Sequence, residues 1–320
     1  YLALPSAFNW LLIDATYVGE TRKDCAPGGA CMAFIGERFN LFVYGFYPAE
    51  LRWRVNLAAI LLVVAGAAVL WDKMPARKHI MKFAMIYPLI GAWLLSGGLF
   101  GLEYVGTHLF GGLMLTLTIG VTGIVFSLPL GILLALGRQS KLPIIKYFCI
   151  GFIEFIRGVP LITLLFVAST MLSYFLPPGT TFDLLLRVLI MVTLFASAYM
   201  AEVIRGGLQA LPKGQLEAAN SLGLNYSQAM RLIILPQALK ISIPGIVNTF
   251  IGLYKDSTLV IVIGLLDPLG IGRASVADSA WLGLSTEVYL FVAVFFFISC
   301  FGMARYSLYL ENKLNTGHKR

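Results

Sequence analysis

The groups able to do chemistry in this chain are few, and most stand inside apolar segments. Lys255 and Asp256 fall within NTFIGLYKDSTLV, with Asn248, Thr249, Ser257 and Thr258 close by. Glu202 and Arg205 follow Ser197 and Tyr199, and Glu154 and Arg157 sit in FIEFIRGVP. A charge at the centre of a membrane helix costs roughly 2.5–3.5 kcal/mol on insertion scales, so each needs a partner or a task. Residues three apart share a helix face, which suits ion pairing for Glu202 with Arg205 and for Glu154 with Arg157. Adjacent helical residues diverge by about 100°, so Lys255 and Asp256 do not simply neutralise each other. Three readings of that stretch stay open: a polar lining of a pathway, a break where the helix leaves the bilayer, or a buried charge network that fixes packing. Ser197, Tyr199, Glu202, Asn248, Lys255, Asp256 and Ser257 are the pathway candidates.

Other chemistries lack their residues. No G-x-x-x-x-G-K-S/T run occurs, and no Lys follows a Gly, so the nested amides and Lys that hold nucleotide phosphates are missing. His79, His108 and His318 are scattered and form no metal or acid–base constellation. Cys149 and Cys300 lie in apolar runs and read as small core residues. Cys25 and Cys31 flank a Gly/Pro turn, DCAPGGAC, at a spacing that closes a small disulfide if the segment faces an oxidising compartment.

The elements that position these residues must be membrane helices. Of 320 residues, 58% are hydrophobic and 12% charged, about half the charge of a soluble domain. That composition excludes an ordinary soluble enzyme, a disordered chain and a disulfide scaffold. The net charge of +8 does not point to nucleic acid, because Lys and Arg lie in short loops between apolar segments, as membrane anchors do. Spans of about 20 apolar residues fall near 55–71, 83–101, 109–136, 148–176, 184–204, 241–265 and 287–310. The chain begins at Tyr1 without Met, and its apolar start, too short to span alone, is expected to be the tail of a truncated first helix, with an interfacial segment as the alternative.

Charge sorts the loops into two sides. Residues 72–82, 137–147, 205–240 and 311–320 carry fourteen Lys and Arg, whereas 102–108, 177–183 and 266–286 carry only Arg273. The basic side is read as cytoplasmic, with the C-terminus there and Cys25 and Cys31 outside. Arg187, near an external end, is expected to snorkel outward. Trp53, Trp71 and Trp281 are expected in interfacial belts. Gly158 and Pro160 allow a kink.

Loop 205–240 is more than a spacer. Its centre reads GQLEAANSLGLNYSQAMRLIILPQALK. Helix formers run from Gln215 to Leu222, Gly223 suits the left-handed residue that ends a helix, and Asn225 is a natural N-cap for a second helix from Tyr226. Leu216, Ala219, Leu222 and Leu224 would give the pair one small apolar face for a partner's groove. An interfacial helix touching only lipid headgroups would normally be richer in Lys and Arg.

The spaced set EAA-x3-G-x9-I-x-L-P, met here by Glu217, Ala218, Ala219, Gly223, Ile233, Leu235 and Pro236, resembles the coupling loop of permease subunits from bacterial ABC importers. SAYMAEVIRGGLQALPKGQ and LYKDSTLV narrow the resemblance to the polar amino-acid uptake branch. CMAFIGERF and the two additional spans resemble the larger permease of general L-amino-acid importers. The resemblance covers about 105–315. It implies an all-α polytopic membrane protein of type I importer fold, with a core at 105–320 and an accessory region at 1–104.

The resemblance further implies a second permease, two copies of an ABC ATPase docked through the EAA loop, an external amino-acid-binding protein, and residence in the bacterial inner membrane. Mg-ATP would be bound by the partner ATPase, with no catalytic or metal residue in this chain. In this reading both Ala218 and Ala219 allow close approach to the ATPase groove. The alternatives are an ion-coupled secondary amino-acid transporter, with protons on Lys255, Asp256 and Glu202, and a non-transporting scaffold.

Overall fold

The computed structural model describes residues 3–71, 73–171, 174, 177, 182–212 and 214–314. The basic tail beyond Leu314, with His318, and most of loop 177–183 therefore lie outside the described residues. Helices dominate: α1 Arg52–Leu70, α2 Arg77–Ser96, α3 Gly112–Arg138, α4 Pro143–Gly158, α5 Leu161–Thr170, α6 Leu184–Gln209, α7 Gly214–Ser221, α8 Tyr226–Ala229, α9 Leu235–Asp256, α10 Pro268–Ser275 and α11 Ser285–Leu314. Among the described residues six helical stretches are long and apolar enough to cross a bilayer.

The expected span at 148–176 is not one straight helix. It breaks between α4 and α5 with a 100° bend. Pro160 is the cause, because its ring pushes the preceding residue out of the helical region. Val159 accordingly takes φ −110°, ψ 132°. At Lys255–Asp256 the winding changes without a break, since α9 ends at Asp256 and a 3-10 turn, Ser257–Ile263, continues the same helical stretch.

The chain divides into two compact units. The first comprises Tyr1–Ile119, Asp183–Leu185 and Ser257–Phe297, so residues 1–104 share a unit with 105–119 and 257–297. The short helices Ala33–Glu37 and Phe39–Tyr44 bury Phe34 and Phe42 against Ile271, Trp281, Leu284 and Val288. Trp281 is 1% exposed and packs edge-on to Phe34. This corrects its assignment to an interfacial belt, where an aromatic ring keeps one wet edge. Trp53 and Trp71 are exposed as such a belt requires. Cys25 and Cys31 are joined in a disulfide, with their Cα atoms 5.5 Å apart. Arg38 pairs with Asp278 at 2.6 Å, a further tie between the N-terminal segment and the chain after α10. Asp267 caps α10 by accepting from the Gly270 amide, and it is fully buried. In the same unit Tyr87 on α2 donates to the Ala58 carbonyl of α1 at 2.8 Å.

The second unit comprises Gly120–Phe182, Leu186–Asp256 and Ile298–Arg320. Its core joins Ala135, Ile153, Met200, Ile204, Met230 and Ala238. Close approach of α6 to α9 depends on Gly207: a Cβ there would sit 2.1 Å from Ser242 Oγ and 2.5 Å from the Ala238 carbonyl oxygen. Small residues at such crossings let helix backbones meet within lipid. Arg187 does not snorkel. It donates to the Phe182 carbonyl and, at 2.7 Å, to the Ser169 carbonyl, because the end of α5 offers it unsatisfied acceptors.

Candidate functional site

The loop motif folds from purely local chemistry. α7 stops at Ser221, and Gly223 takes φ +79°, a value that strains any residue with a Cβ. Asn225 then accepts from the Gln228 amide at 2.9 Å while its own amide donates to Gln228 Oε1 at 3.0 Å. This reciprocal capping box starts α8. A wide π turn, Met230–Ile234, leads into α9. Gln237 links the two arms, donating to the Ile233 carbonyl and to Gln215 Oε1.

The expected apolar stripe is split. Ala219 is 1% exposed and Leu216 packs against the core of its own unit, whereas Leu222 is 78% exposed. Ala219 is thus covered by its own chain, a correction to the reading in which both alanines meet a partner. The helix ends before Leu222, so the 3.6-residue period no longer carries that side chain to the same face. Ile233 and Leu235 also pack inward. Glu217, Ala218, Leu222, Gly223, Tyr226 and Pro236 form the outward surface.

Glu202 on α6 is the hub of an ionic cluster. Its Oε1 lies 2.5 Å from Arg138 at the end of α3, and its Oε2 lies 2.7 Å from Arg205 and 3.8 Å from Arg157. The Glu202–Arg205 pair meets the sequence expectation. Glu154 departs from it: its partner is Arg138 at 3.0 Å, and Arg157 turns instead to Glu202 and to the Tyr199 ring, 5.5 Å from its centroid. A shared helix face makes a pair possible, but carboxylates and arginines on neighbouring helices compete for it.

One turn before Glu202 lies a cavity of about 290 Å³, lined by Phe195, Ala196 and Tyr199 of α6 and by Asn248, Thr249, Gly252, Leu253 and Asp256 of α9. The volume is near the lower end of small-molecule sites, roughly 300–1,000 Å³. Of the pathway candidates, Tyr199, Asn248 and Asp256 come together here. Ser197 is buried and donates to the Thr193 carbonyl of its own helix. Glu202 belongs to the ionic cluster, Lys255 is exposed and does not line the cavity, and Ser257 is buried at the start of the 3-10 turn. The sequence reading missed Phe195, Ala196, Gly252 and Leu253. For Gly252 a signal was present, because Asn248, Gly252 and Asp256 recur every four residues on one helix face.

Such helices, with charged groups gathered at an ionic hub and an exposed two-arm loop, define a polytopic membrane protein. Residues 127–315 match the family described as binding-protein-dependent transport system inner membrane component. The inner membrane amino-acid ABC transporter permease protein YhdY of Escherichia coli K12 is 54% identical, over 98% of this chain and 86% of its own length. The glutamate/glutamine/aspartate/asparagine transport system permease protein BztC of Rhodobacter capsulatus is 50% identical, over 91% of this chain and 80% of its own. A crystal structure of an amino acid ABC transporter with histidines superposes with a TM-score of 0.55 at 32% identity, covering 62% of this chain and 91% of that one. The chain belongs to this family of inner-membrane components and has the fold of an ABC importer permease. The family membership leaves no support for an ion-coupled transporter.

Proposed function

We propose that this chain moves L-amino acids inward across the membrane as one permease of an ATP-driven importer, and that a separate ATPase supplies the energy. The observation that carries this reading is the outward surface of Glu217, Ala218, Leu222 and Gly223 on a loop tied by a capping box and by the Gln237–Gln215 hydrogen bond. Relatives named for amino-acid ABC transport support the substrate class. The basic loops, this one included, face the cytoplasm with the C-terminus. Two ATPase copies carry Mg-ATP, a second permease of different sequence completes the pair, and an external binding protein delivers the amino acid.

The cavity is the substrate station in this reading. Asp256 receives the α-ammonium group, and the Asn248 amide and Tyr199 hydroxyl donate to the α-carboxylate. Closure of the ATPases moves the α7–α8 loop, and the close α6–α9 crossing carries that motion to both cavity walls as a rigid-body step. Glu217 pairs with a base or caps amides in the ATPase groove.

The test is transport by the affinity-purified complex in proteoliposomes, with mass spectrometry of its subunits. Radiolabelled glutamate, glutamine, aspartate and asparagine should accumulate only with ATP and binding protein, and a second permease and an ATPase should co-purify. Uptake that ignores ATP and collapses with a proton uncoupler would overturn the proposal.

A further inference from the structure

The hub around Glu202 gathers three guanidiniums about two carboxylates, one positive charge in excess. Arg138 and Arg205 occupy its two oxygens at 2.5 and 2.7 Å, and Arg157 stands back at 3.8 Å. Glu154, the second carboxylate, is engaged by Arg138. Arg157 also stands over the face of Tyr199, an aromatic residue that lines the cavity. Tyr199 precedes Glu202 by three residues on α6, so Arg157 on α4 touches that helix at a cavity wall and at the hub together. Arg157 is also the penultimate residue of α4, immediately before the 100° bend into α5. It keeps 35% of its side-chain surface exposed, against 24% for Arg138 and 30% for Arg205. It is the most exposed of the three arginines.

We propose that Arg157 is the positioning residue through which occupancy of the cavity reaches the ionic hub. A ligand carboxylate seated against Tyr199 competes for the guanidinium, draws it further from Glu202, and loosens the α4–α6 tie beside the bend. An empty cavity leaves Arg157 on the ring and near Glu202, and the tie holds the resting arrangement. The ligand class is an amino acid with a free carboxylate, since an amine without one offers the guanidinium nothing. The inference rests on the proposed importer reading, through the ATPase that reports the motion.

The experiment measures ATP hydrolysis by the reconstituted complex, with its binding protein either empty or loaded with L-glutamine. Arg157→Gln and Tyr199→Leu both remove the cation–π contact. Both should raise hydrolysis with the empty binding protein by roughly two- to thirtyfold, the range such a contact spans between exposed and desolvated settings. Their stimulation by glutamine should fall away. Hydrolysis without ligand is read independently of any binding defect at Tyr199. Arg157→Lys should restore stimulation, because an ammonium keeps both the ring contact and the pair. Glu154→Gln, which weakens the hub without touching Tyr199, should keep the stimulation ratio. A wild-type ratio in either Arg157→Gln or Tyr199→Leu overturns the inference, as does loss of the ratio in Glu154→Gln. Absence of stimulation in the wild-type complex would instead count against the importer reading.

Discussion

Gly206 and Gly207 are consecutive residues of α6 with opposite surroundings. A Cβ at Gly206 meets no atom within 4 Å, whereas one at Gly207 falls inside contact distance of Ser242 Oγ and of the Ala238 carbonyl. Replacement of Gly206 by Ala should therefore stabilise the helix by up to about 1 kcal/mol through propensity alone. The same change at Gly207 gains that term but must push α9 away. The obstructing carbonyl is backbone and cannot rotate aside, so an overpacking cost of about 1–3 kcal/mol applies. Thermal unfolding of the two variants in detergent, followed by the loss of the monodisperse peak on size exclusion, should place Gly207→Ala below wild type and Gly206→Ala at or above it. Gly207→Ala should also weaken amino-acid stimulation of ATP hydrolysis, because in the proposed mechanism the crossing is the route of the motion. Equal midpoints for the two variants would refute the claim that α6 and α9 are locked at this point.

Three further outcomes follow from the structure. Glu202→Gln removes the charge shared by three arginines; in this partly exposed cluster it should cost about 1–3 kcal/mol in unfolding midpoint, less than for a fully buried pair. Asp267 is pushed up to about 6 by burial, well above its usual 3.8. The native state therefore holds a proton that the unfolded chain releases, and stability should fall as pH rises from about 4 to 6, by up to about 3 kcal/mol. Asp267→Asn keeps an acceptor for the Gly270 amide and should flatten that dependence, as a pH series of melting midpoints would read. Asn225→Ala removes the cap of α8 at a cost of about 1 kcal/mol, and hydrogen exchange should quicken at residues 226–229.

Features set by short-range chemistry were legible in the sequence. Gly223 and Asn225 were assigned their roles from residue type alone, since a left-handed residue and a cap need only their near neighbours. The membrane helices followed from apolar length, and Pro160 announced the break before α5, though a length rule alone merged the two halves. What escaped depended on neighbours distant in the chain. Trp281 looks like a belt residue until Phe34 covers it, and Arg187 until the Ser169 carbonyl receives it. The pairing of Glu154 with Arg138 instead of Arg157 was set by the approach of α3 to α4. Ala219 belonged to a docking motif on paper, and only the packing of α7 on its own core turned it inward.

The sharpest test of the proposed coupling surface compares two adjacent positions. In a complex with Cys149 and Cys300 replaced by Ser, single cysteines at Ala218 and Ala219 are treated with a short bifunctional thiol reagent. Position 218, exposed beside Glu217, should cross-link to a cysteine placed in the ATPase groove, and position 219, covered by its own fold, should not. Cross-linking at neither position, in a complex that still accumulates amino acids with ATP, would contradict the account.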